Sequence, residues 1–311
     1  MTPQSILAIT DFSSNTHAVL DRAMQLALAH GATLELLYAP PDGTPSLPDA
    51  SWRLSQHAFQ LGQRHQALVD VASRTAARFQ DVVNAALKAD LMVIGAANDR
   101  DVKSLFFGLP EERLVRATHR PVLVVRRDAE AARSPYSRLL VAVDFSDASH
   151  HLVQAAFAFG ESARVELFHA LNTLNESKLR AYAVSEEIIR AYRQQNTRIA
   201  EGRMYRLTDS TDARRNRVAS TIGHGDPARQ AVVQQQYSGA ELIVVGKHPA
   251  SAVSDFLFGS VSQRVLRHAT ADVLMLPHGF KSGTRAAAVR RFEHNTPARP
   301  RIRAGVPLSR G

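Results

Sequence analysis

Gly246, Gly259 and Ser260 are spaced as residues that could hold an anion. A phosphate needs close backbone approach, free N–H donors and a hydroxyl; glycine supplies the approach and a helix start supplies the donors. Gly246 ends the apolar run Leu242-Ile243-Val244-Val245, and Gly259-Ser260 open an amphipathic stretch leading to a second run, Val273-Leu274-Met275-Leu276. Short β-branched runs bounded by turn residues predict buried strands, so the stretch reads as strand, helix, strand. Ligands of open α/β sheets bind beyond the carboxyl ends of the strands, where Gly246 would stand. The same residues would also end a strand and cap a helix in any such fold. His248 either approaches the ligand or is an exposed loop histidine.

Asp144 and Asp11 are the next candidates. Each follows an apolar strand and precedes a helical pattern by a few residues. That place suits a ligand contact, and it equally suits a turn or capping aspartate. Several enzyme chemistries find no support. There is no G-x-x-x-x-G-K-[ST] run, no G-x-G-x-x-G after a strand and no G-x-S-x-G elbow. His150 and His151 are adjacent, so on a helix they diverge and make a poor metal pair. With 0 cysteines there is no thiolate chemistry and no disulfide framework. The expectation is a binding protein, not an enzyme, with no metal site.

Positioning those residues requires an alternation of strands and helices, and the chain supplies it twice. Ile6–Ile9, ending at Thr10-Asp11-Phe12-Ser13, is answered by Leu139–Ala142, ending at Val143-Asp144-Phe145-Ser146, 133 residues later. Leu34–Tyr38 is answered by Val165–His169 at an offset of 131, and Leu91–Gly95 by Leu242–Gly246 at 151. Val122–Val125 then matches Val273–Leu276. The growth in offset places an insertion in the second half, within Asn172–Arg217, charged and helical in pattern. Helices are also expected over 52–66, 75–88 and 109–118, and a short third strand at Leu68–Ala72. Duplication of an alternating unit predicts two parallel sheets covered on both faces. The boundaries expected are 1–128 and 136–279, followed by a tail, 280–311.

The formal charge is +9, and the tail carries most of it. It holds eight Lys and Arg against Glu293, a net +7, so the body is near neutral. A basic tail can neutralise nucleic-acid phosphates, but three prolines and few aromatics favour a solvated, disordered extension. The first residues lack a signal-peptide pattern, and no apolar run reaches the ~20 residues of a membrane helix. A cytoplasmic protein with no membrane partner is expected.

The runs VAVDFSDAS (141–149), Gly223-His224-Gly225-Asp226-Pro227-Ala228, IVVGKH (243–248) and GSVSQRVLRHATADVLMLP (259–277) resemble the universal stress protein family, in its tandem two-domain form. The resemblance spans about 4–127 and 137–278 and leaves out the tail. It implies two five-stranded parallel domains, Rossmann-like and of the adenine nucleotide alpha hydrolase type. It also implies ATP held in the second domain: Asp144 near adenosine, and Gly246, His248, Gly259, Ser260 and Val261 around the phosphates. The family's loop reads Gly-x2-Gly-x9-Gly-Ser/Thr. Here Pro249 stands at the middle glycine; in the first half Asn98 and Leu109 replace the middle glycine and the hydroxyl residue. The alternative is a stress-family module working through protein partners without nucleotide. Family members pair their last strands across a dimer, so Val122–Val125 and Val273–Leu276 are expected to pair within this chain as a pseudo-dimer, with a homodimer of chains as a further option.

Overall fold

The computed structural model describes residues 2–40, 45–66, 70–71, 75–96, 110–126, 136–160, 163–211, 218–246 and 261–277. The first half runs β1 (Ser5–Thr10), α1 (Thr16–His30), β2 (Thr33–Tyr38), α2 (Ala50–His65), β3 (Asp70–Val71), α3 (Phe79–Ala86), β4 (Leu91–Gly95), α4 (Pro110–Thr118) and β5 (Val122–Val125). The second runs β6 (Arg138–Ala142), α5 (Ala148–Phe159), β7 (Arg164–Leu171), α6 (Leu174–Ala181), α7 (Glu186–Ser210), β8 (Val218–His224), α8 (Pro227–Ser238), β9 (Leu242–Gly246), α9 (Val261–His268) and β10 (Asp272–Leu276).

The two expected sheets are one. Its ten strands lie in the order β3-β2-β1-β4-β5-β10-β9-β6-β7-β8. Neighbours are parallel except at the centre, where β5 and β10 run antiparallel with Leu123 opposite Leu274. The pairing expected of the last strands is therefore present inside the chain. Each strand alternates its side chains between two cores, and each core is continuous across both halves. Leu123, Val125, Leu274 and Leu276 join one face, packed under α1, α2, α5 and α7. Val122, Val124, Val273 and Met275 join the other, under α3, α4, α8 and α9. Burial of each such aliphatic side chain is worth about 1.5–3 kcal/mol.

Local chemistry explains where elements begin. The helix expected from residue 75 starts at Phe79, because Asp81 Oδ2 accepts from the amides of Ala77 and Arg78 at 3.2 and 3.0 Å and closes the first turn there. The third strand of the first half shrinks to Asp70–Val71. The extra length of the second half lies in α6 and a longer α7, which are tied together by Arg193 on the buried Glu176 carboxylate. Duplication also shows in the backbone: Phe12 and Phe145, at equivalent turns, both take positive φ, 59° and 63°.

In both halves the strand order reverses at the first strand. β1 pairs with both β2 and β4, and β6 with both β7 and β9. Those two reversals are where an open α/β sheet leaves a crevice.

Candidate functional site

At the second reversal the chain leaves β6 through Val143-Asp144-Phe145-Ser146. Asp144 Oδ1 accepts from the Ser146 amide (3.0 Å), the Ser146 hydroxyl (2.7 Å) and the Ser149 hydroxyl (3.0 Å). These bonds pull the turn tight, and Phe145 adopts left-handed φ to let α5 start at Ala148. Asp144 thus performs the turn-closing role and stays exposed at the crevice wall.

Gly246 ends β9 on the other side. A β-carbon there would lie 3.3 Å from Leu152 Cδ1, so glycine lets α5 approach the strand end closely. α9 enters from the far side with Val261 and Ser262 at its start. α8 is fixed by Asp226, whose Oδ1 accepts from the Arg229 amide at 2.9 Å while Oδ2 takes Arg264 of α9 at 2.7 Å. Burial works to raise the Asp226 carboxyl, but the Arg229 amide and the Arg264 guanidinium outweigh it and hold it below the usual value. The His-Gly-Asp-Pro run therefore locks the N-termini of α8 and α9 together beside the crevice.

Between these elements lies a cavity of about 200 Å³. Asp144, Gly246 and Val261, three of the expected site residues, line it together, with Ser262, His151 and His169 as its other polar neighbours. Its walls are otherwise apolar, including Leu152, Phe168, Val245 and Leu276. His248, Gly259 and Ser260 lie outside the described residues, as do Pro249, Asn98 and Leu109.

His169, at the end of β7, was not singled out by sequence. Its Nδ1 lies 2.8 Å from the Val143 carbonyl oxygen and its ring sits 4.2 Å from that of Phe145. The only sensible arrangement is Nδ1–H donating to that carbonyl, since two acceptors would repel. Burial depresses the ring's pKa below its ordinary value, against the Val143 carbonyl and Asp144, which favour the cation. The ring is neutral at pH 7.

The first half differs at the same place. Asn15 occupies the position of Ala148, and its Nδ2 donates to the Val125 carbonyl at 3.0 Å. A β-carbon on Gly95 would fall 2.8 Å from that nitrogen. The amide therefore fills the space above the β4 terminus. Tyr38, at the position of His169, stacks on Phe12 at 4.7 Å, and His57 of α2 stacks on Phe12 at 5.5 Å. A repeat alignment pairs Asn15 with Ala148, and that was the signal available for finding the difference.

Among the described residues there is no group of three or more His, Asp or Glu placed to hold a metal ion. No helix among them is long and apolar enough to cross a membrane.

A family model described as the universal stress protein family matches the chain twice, over residues 3–126 and 135–277. A universal stress protein of Mycolicibacterium smegmatis is 25% identical over 299 residues, covering 88% of this chain and 97% of the relative. Universal stress protein Rv2005c of Mycobacterium tuberculosis is 29% identical over 193 residues, 60% of this chain and 62% of its own length. Among solved structures, a universal stress protein from Archaeoglobus fulgidus superposes with a TM-score of 0.64 at 18% identity, covering 89% of this chain and 97% of that one. That last likeness concerns the fold.

Proposed function

The chain belongs to the universal stress protein family, and on that premise we propose that its second half binds an adenine nucleotide, ATP or AMP, and signals by its nucleotide state. The observation that carries this reading is the crevice itself: Asp144, Gly246 and Val261, far apart in sequence, line one cavity at the strand reversal. Its largely apolar walls suit a purine, Asp144 suits a ribose hydroxyl, and α9 begins beside the cavity with Val261 and Ser262. Gly259, Ser260 and His248 would complete the phosphate side. The first half takes no nucleotide, because Asn15 stands in the space. The reading is one of binding without turnover; among the described residues no group of three or more His, Asp or Glu is placed to hold a metal ion.

A second reading is favoured by one residue. Pro249 removes a backbone donor and fixes φ near roughly −65° where the family's loop has glycine. On that reading the fold serves protein partners alone.

Titration calorimetry decides between them. Wild type should bind ATP and AMP with measurable heat. Ala148→Asn, which copies the first half's side chain into the second, should lower affinity by at least about tenfold while leaving the thermal midpoint within a few degrees. No heat at millimolar nucleotide on folded protein would leave the second reading standing.

A further inference from the structure

We infer that His169 reads the base in this crevice, accepting a hydrogen bond at Nε2, so that the site selects adenine's exocyclic amine over the carbonyl edge of hypoxanthine. The inference rests on the nucleotide reading above and names the group that gives it specificity.

Three observations support it. First, the ring's proton has an assigned place: Nδ1 is 2.8 Å from the Val143 carbonyl oxygen, which can only accept. A neutral imidazole with its proton on Nδ1 carries its lone pair on Nε2. Second, His169 lines the cavity, and Nε2 has no hydrogen-bond partner among the described residues. Third, the ring cannot easily turn to offer a different atom. Phe145 lies against it at 4.2 Å, and the Phe145 backbone is itself set by the Asp144 turn. The charged neighbours are Asp144 from the turn after β6, which favours the cation, and Arg203 from α7, which opposes it. His151 of α5 lines the same cavity. Burial leads these influences and keeps the ring an acceptor at neutral pH.

A fixed acceptor discriminates by what it meets. An amine donates to it; a carbonyl oxygen brings a second lone pair and leaves both atoms unpaired in an apolar cleft. Loss of one neutral hydrogen bond with an unsatisfied group left behind corresponds to roughly ten- to a hundredfold in affinity. Tyr38 stands at the equivalent place of the first half, packed under Phe12 in the half where Asn15 fills the crevice.

AMP and IMP differ at this edge and are the probes. By calorimetry on the full chain, AMP should bind at least about tenfold more tightly than IMP. His169→Phe keeps a ring against Phe145 and removes the acceptor; it should weaken AMP to the level of IMP and bring the ratio near one. In parallel, the His169 Nε2 nitrogen resonance of wild type should shift with AMP and stay in place with IMP, a result that does not depend on the variant's folding. Equal affinity of wild type for AMP and IMP, or discrimination surviving in His169→Phe, would overturn the role of His169 while leaving nucleotide binding intact. Failure of folded wild type to bind either nucleotide would overturn both.

Discussion

One side chain does much to distinguish the two crevices of this molecule. Asn15 and Ala148 occupy the same turn of equivalent helices, yet one fills the strand reversal and the other leaves it open. The sequence shows the substitution but not its consequence, because the Asn15 amide closes the space only by reaching Val125, 110 residues away. Asp144, Gly246 and Val261 were legible since each sits at a strand or helix end with a characteristic neighbour. His169 was not, because a histidine at the end of an apolar run has no pattern until its Nδ1 partner is known. The histidines also give the chain a pH dependence. Burial, then His17, Arg64 and Arg53, depress His57; burial depresses His169. Their folded pKa values lie below the ordinary 6.5, so the unfolded chain takes up protons first as pH falls. The stability tied to their neutral rings is complete above about pH 6.5 and is lost as pH drops through the folded values. Urea midpoints should therefore fall between about pH 7.5 and 5.5, and a chain with His57→Gln and His169→Gln together should show a shallower fall. An unchanged slope in that chain would place the pH dependence elsewhere.

The elements were the most legible level, for a physical reason. A parallel strand is buried on both faces, so it appears as an unbroken aliphatic run, and six of the ten strands have one bounded by a turn residue or a polar residue, while Glu35 interrupts β2 and Glu166 interrupts β7. β3 and β8 lie at the sheet's edges and carry weaker signals, and β8 has no fully buried residue. Helix starts were less legible. α3 begins four residues late because Asp81 caps it, and α6 and α7 meet at Ala183, whose positive φ of 54° sequence does not announce. α8 shows what a cap contributes. Asp226→Ala removes both the bond from the Arg229 amide and the partner of Arg264. The cap alone should cost about 0.5–2 kcal/mol in urea unfolding. Because the same carboxylate orients α9, nucleotide affinity should fall as well. Stability lost with affinity unchanged would show that α9 holds its place without Asp226.

At the scale of the whole molecule, the antiparallel seam between β5 and β10 turns a duplication into one sheet. The seam is also asymmetric. Asp272, fully buried at the start of β10, takes Arg22 of α1 at 3.0 Å, the Tyr136 hydroxyl at 2.7 Å and the Arg126 amide at 2.8 Å. Pro121 stands at the equivalent place of the first half, so this cluster occurs once and joins both halves. Burial pushes the Asp272 carboxyl up, while Arg22 pulls it down, and burial prevails. Asp272→Asn keeps the shape but leaves Arg22 buried without its counter-charge, at a cost of about 3–5 kcal/mol. Both halves should then unfold at lower urea in a single transition; two separated transitions would mean that the halves are stable independently. On the nucleotide reading, one copy of the duplicated fold kept a crevice for a purine nucleotide and the other closed it. Native mass spectrometry of the full chain with ATP measures this directly. One nucleotide per chain is expected, lost in Ala148→Asn; two equivalent nucleotides per chain, or one that persists in Ala148→Asn, would contradict that reading.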